Sequence, residues 1–172
     1  MNMFDRSIQK VLAVSAMLSL GVIMCSCSEE SGLAPTIEHP KPTKGFFDPK
    51  RDSNKDLTDA KSTAKKEHKR ILLDIGGDWA FWSKRLEPLL DSDRDISSVL
   101  AGKYVVVHVN SSQGSENKAF LSKLPTFDGF PHFFVLDASG KVLVSQGSNE
   151  FQQVDHIETT KLVEFLKKWA GP

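Results

Sequence analysis

The apolar and polar positions of this chain change rhythm several times, and each rhythm predicts an element. From Val11 to Met24, "VLAVSAMLSLGVIM" carries no charge. The run is shorter than the roughly 20 apolar residues a membrane-spanning helix needs, and it follows Arg6 and Lys10, so residues 1–27 read as an export signal. Residues 28–45, "SEESGLAPTIEHPKPTKG", show no apolar period and hold three prolines, the pattern of a flexible linker. A globular domain is then expected over 46–172. In "SNKDLTDAKSTAKKEH" (53–68), Leu57, Ala60 and Ala64 recur at helical spacing, predicting a helix capped by Ser53 or Asn54. "RILLDIG" is a short continuous apolar run, as in a central strand covered on both faces. Helical spacing returns from Trp82 to Leu90, with Pro88 expected to kink or shorten that helix. "KYVVVHVN" is a β-branched strand, so strand, helix and strand predict a parallel βαβ unit. "SENKAFLSKL" predicts a short helix capped by Ser115. "FPHFFVLDASGKVLVSQG" predicts a hairpin turning at Gly140. "TTKLVEFLKKWA" closes as an amphipathic helix with Leu162, Val163, Phe165, Leu166 and Trp169 inward. Strands interspersed with helices make this an α/β chain.

Charge adds little to this picture. Lysine plus arginine equals aspartate plus glutamate, 22 of each, so nothing points to nucleic acid or another polyanion as partner. Cysteine usage adds more. The chain has only two, Cys25 and Cys27, both at the end of the first apolar run. A disulfide between residues two apart is geometrically poor, and "CSC" supplies too few ligands for a metal. "IMCSC" resembles the lipobox of bacterial lipoproteins. That resemblance implies a lipid on Cys27, with Cys25 as the alternative, and a membrane-anchored location in the periplasm or cell envelope. Ser28 after Cys27 implies the outer membrane. His39 and His68 lie on polar segments and His156 in a loop, with no HxxxH-type spacing, so no metal or cofactor is expected.

The densest chemistry lies in "DIGGDWAFWSKRL" (74–86), which reads as the end of a buried strand, a tight turn and a helix start. From about Phe46 to Trp169 the chain resembles exported thioredoxin-like proteins whose active segment reads G-D-W-C-x-W-C; here it reads "GDWAFWS". The resemblance implies a thioredoxin-like fold, with a central mixed β-sheet flanked by helices and a cis-proline loop at Pro131. It also places Ala80 and Ser83 where the two cysteines would stand. In such a site a helix N-terminus favours the first thiolate, which attacks a disulfide, and the second cysteine resolves the product. Ala80 has no nucleophile, and Ser83 is an unactivated alcohol. With no cysteine beyond Cys27, this chain alone has no sulfur for dithiol exchange.

The neighbours of that site carry further implications. Asp74 stands six residues before Ala80, where the family holds a buried aspartate. His108 stands in the next strand, where a lysine often faces that aspartate, so the two are expected to pair across the sheet. In the family, the backbone at Pro131 pairs with substrate peptide. Phe130 and His132 flank it and, with Trp79, Phe81 and Trp82, suggest an aromatic docking groove, with ordinary packing as the competing reading. A hydrolytic Ser83–His132 dyad lacks any visible oxyanion hole or orienting acid. The first functional expectation is a redox-inactive, lipid-anchored binding protein that holds a peptide or partner protein at the Trp79–Trp82 and Pro131 edge. The alternatives are a thiol-disulfide oxidoreductase family member and a structural envelope spacer. The oxidoreductase reading requires either an engineered Cys-to-Ala/Ser variant or thiols supplied by another subunit.

Overall fold

A computed structural model describes residues 45–114 and 117–171. The expectations on the leader, the lipidated cysteine and nearly all of the linker lie outside the described residues, as does the Ser115 cap. The elements follow in the order α1 (Ser53–Glu67), β1 (Arg70–Gly76), α2 (Phe81–Ser92), α3 (Arg94–Lys103), β2 (Tyr104–Asn110), α4 (Lys118–Leu121), β3 (His132–Leu136), β4 (Val142–Gly147), a 3₁₀ turn (Ser148–Phe151) and α5 (Thr159–Trp169). The four strands form one sheet in the order β2-β1-β3-β4. β1 and β2 are parallel, as the crossover through α2 and α3 demands, while β1–β3 and β3–β4 are antiparallel. Among the described residues no helix is long and apolar enough to cross a membrane.

β1 is buried from Ile71 to Gly76 because both its faces are covered. Side chains alternate across a strand, so Ile71, Leu73 and Ile75 meet one layer and Leu72 and Asp74 the other. The first layer is α1 with α4: Ala60, Ala64 and Phe120 pack with Val107, Val109, Phe134 and Leu136. The second is α2, α3 and α5: Leu86, Leu90, Ile96, Leu100, Leu162 and Leu166 pack on Leu72, Phe133 and Val135. Small alanines let α1 approach closely, while branched and aromatic side chains fill the opposite layer.

Local boundaries differ from the sequence expectation in three places. Asp52, not Ser53 or Asn54, caps α1; its carboxylate accepts from the backbone N–H of Asn54 and Lys55. Ser53 is instead buried at the first helical position. α2 is not shortened at Pro88 but runs on to Ser92, because buried Leu86 and Leu90 on either side of the proline hold it to the core. One lost backbone bond is tolerable where flanking residues are packed. The chain breaks at Asp93, which ends α2 and caps α3 through the N–H groups of Asp95 and Ile96. α3 was not anticipated: only Ile96 and Leu100 are buried in it, too sparse a stripe to stand out amid Ser, Asp and Gly.

Candidate functional site

The turn after β1 delivers the chain to α2. Gly76 lies where a Cβ would come within 2.6 Å of both Phe47 Cζ and Ser83 Oγ, so only glycine lets helix and strand approach this closely. Ala80 is the N-terminal cap of α2, extended in backbone and without any side-chain cap bond. It is nearly buried, and Ser83 is fully buried, its Oγ without a hydrogen-bond partner. The helix-end field that would favour an anion at position 80 therefore meets only a methyl group.

Beneath this turn lies a polar cluster on the α2 side of the sheet. Register places Asp74 opposite His108, and His108 Nδ1 lies 3.0 Å from Asp74 Oδ2. A third member, Glu87, comes from α2: its Oε2 stands 3.3 Å from the same Nδ1. Sequence reading missed Glu87. The signal was present, because Ser83, Leu86, Glu87 and Leu90 are the buried positions of α2 and fall at i, i+3, i+4 and i+7. A glutamate in an apolar stripe marks a polar core. Asp74 is 0 % and Glu87 1 % exposed, and both Glu87 oxygens and Asp74 Oδ1 lack a hydrogen-bond partner. Burial pushes the Glu87 carboxyl well above the ordinary range, and the neighbouring Asp74 pushes it further. Asp74, Glu87 and His108 bring three potential ligand atoms together from three separate elements, a grouping no sequence spacing displays.

The second part of the site is the loop before β3. The Phe130–Pro131 peptide bond is cis. A groove of about 630 Å³ opens beside it, walled by Trp82, Phe127, Phe130, His132, Ser145 and Gln152 among others. Trp79, Phe81 and Pro131 stand outside this lining. Trp79, 56 % exposed, packs edge-on against Phe130 at 5.3 Å between ring centroids. Phe81, 57 % exposed, packs edge-on against Trp82 at 5.2 Å, with the Arg85 guanidinium over its face. The expected single aromatic groove is thus two aromatic pairs, with Trp82 and Phe130 in the walls. Phe127, which sequence reading omitted, touches the rings of Phe130, His132 and Phe134. His132 is buried and pairs through Nε2 with Ser145 Oγ at 2.8 Å; burial lowers its pKa, favouring the neutral ring. With Nε2 engaged there and Ser83 Oγ unpartnered, no Ser83–His132 dyad forms.

Comparison with known proteins agrees with this architecture. A family model described as thioredoxin-like matches residues 52–138, just over half of the chain. Among solved structures, the chain is similar to a disulphide isomerase from Xylella fastidiosa Temecula1, with a TM-score of 0.64 at 21% identity over 73% of this chain and 97% of that one. It is also similar to the oxidised C-terminal domain of DsbD from Neisseria meningitidis, with a TM-score of 0.51 at 16% identity over 69% and 96% of the two chains. No curated protein sequence matches. At these identities the structural likenesses speak for the fold alone. Taken with the family match over β1, α2, β2 and the start of the closing hairpin, they show that the chain belongs to the thioredoxin-like family.

Proposed function

We propose that this protein is a redox-inactive member of its family that binds an extended peptide or partner segment at the Pro131 edge. The observation that carries the reading is the pairing of a walled groove with exposed Trp79 and Phe81 at its margin, beside a helix start that holds no sulfur. Exposed aromatic rings rimming a concavity favour docking, because they bury much apolar area at little entropic cost. The groove's polar members, Ser145 and Gln152 among them, offer hydrogen bonds that would orient a bound backbone. An export signal and lipid anchor, read from the N-terminal sequence, would place this activity at the cell envelope. A photo-crosslinking residue at position 82 tests the reading. It should give a discrete adduct that the same residue at Val154, 98 % exposed and remote in sequence, does not give. Matching adduct patterns from both positions would overturn it. An insulin-reduction assay should show no turnover, and turnover would overturn the redox-inactive part.

A second reading, action alongside thiols from another subunit, is favoured by the preserved turn and helix start at Ala80. Under that reading, mixing with a dithiol partner would yield a disulfide-exchange rate above that of the partner alone.

A further inference from the structure

Two carboxylates buried against one imidazole leave the cluster beneath α2 short of positive charge. The charges that bear most strongly on Glu87 are those of Asp74, Asp91 and Asp78, all acidic. Asp74 and Glu87 have three oxygens without a hydrogen-bond donor. His108 Nδ1 has at most one proton, and geometry directs it to Asp74 Oδ2. Such oxygens cost stability wherever they are buried unmet, so the site calls for either protons or a cation. The cluster is not sealed: the His108 side chain is 30% exposed and gives solvent access, with Phe46 and Phe47 beside its ring.

The spacing of the donors fits a cation. Ligands held ~2.0–2.2 Å from a metal stand ~3–3.5 Å from one another in tetrahedral or octahedral shells. Here Nδ1 stands 3.0 Å from Asp74 Oδ2 and 3.3 Å from Glu87 Oε2, and all three ligand atoms lie within 4.8 Å of one another. We propose that Asp74, Glu87 and His108 form a binding site for one divalent transition-metal cation, with Zn²⁺ the best match. An imidazole nitrogen with two carboxylate oxygens suits zinc better than the all-oxygen shells of calcium or magnesium. Three protein ligands leave a further position for water. On binding, the proton on Nδ1 is given up, the ring then carrying its single proton on Nε2 and presenting Nδ1 to the cation, and any proton on the carboxyls leaves to solvent. The site draws on residues separate from the groove and is independent of the docking reading.

The test uses the full chain, stripped with a chelator and titrated with Co²⁺ and with Zn²⁺. One Co²⁺ per chain should give a visible d–d absorption without the near-ultraviolet charge-transfer band that thiolate ligation by Cys25 or Cys27 would add. Zn²⁺ should displace it and raise the Tm. His108→Ala and Glu87→Gln should each weaken binding roughly 100-fold or more. Glu87→Gln keeps the side-chain shape, and its unfolding curve in chelator should match or exceed that of the parent chain, so that its loss of binding is distinguished from unfolding. Absence of the d–d band in the parent chain would overturn the proposal. So would a band that persists unchanged in either variant, which would locate the metal elsewhere.

Discussion

Replacing Glu87 by glutamine gives the sharpest test of the polar core, made on the metal-free protein with chelator present. Glu87 is 1 % exposed, neither carboxylate oxygen meets a donor, and Asp74 both repels its charge and accepts a hydrogen bond from its protonated form. Its folded pKa is therefore raised above the unfolded value, taken as 4.5. A carboxyl of this kind holds its proton longer in the folded state. Its contribution is fully present below the unfolded pKa and is lost as pH rises through the folded pKa. Where the folded chain binds one proton more than the unfolded chain, stability falls by about 1.4 kcal/mol per pH unit. Glutamine mimics the protonated acid at every pH and removes that slope. The two proteins should be nearly equal in stability near about pH 4.5, and Glu87→Gln should gain steadily above it. Titrating groups outside the cluster are shared, so the difference reports the proton held by Glu87 together with Asp74 and His108. Denaturant unfolding followed by tryptophan fluorescence, repeated from about pH 5 to about pH 8, measures it. Parallel stability profiles, or a less stable glutamine variant throughout, would refute the account of a carboxyl buried without compensation.

Other expectations follow from single contacts. Ser83→Ala removes a buried hydroxyl that has no partner, so it should leave the denaturation midpoint unchanged or raise it; a loss above about 1 kcal/mol would reveal an unseen partner for that oxygen. Asp52→Ala removes the acceptor for two N–H groups at the start of α1 and should lower the denaturation midpoint, read from the same unfolding curves. Leu86→Ala, at a fully buried position between α2 and the sheet, should cost about 2–5 kcal/mol by denaturant titration. The double change Ala80→Cys with Ser83→Cys should form an intramolecular disulfide on oxidation and, when reduced, carry a first thiol that ionises below the usual cysteine range, because position 80 is the α2 cap; an ordinary thiol pKa by pH-dependent alkylation of the reduced form would refute that.

Much of this architecture is written in local patterns. The two-faced apolar run of β1, the β-branched β2 and the hairpin about Gly140 were legible because strand periodicity and turn chemistry act over a few residues. The pairing of Asp74 with His108 was legible through the family resemblance, which sets a residue of the next strand against the buried aspartate, and the parallel register of β1 and β2 places the two opposite each other. The continuation of α2 through Pro88 was hidden because core packing around Leu86 and Leu90 outweighs the proline's local preference, and α3 was hidden because its buried stripe is only Ile96 and Leu100. The absence of sulfur after Cys27 is a property of the sequence alone, and no fold can restore it. Glu87 marks the other side of the division. Its place in the buried stripe of α2 was visible, yet its convergence with Asp74 and His108 required the helix to dock on the sheet. The groove walls likewise gather residues from α2, the Pro131 loop, β4 and the segment after the 3₁₀ turn. Sequence thus determined which chemistry is missing, because covalent groups are local. Tertiary structure decided which groups meet, because burial and distance arise only when distant segments pack.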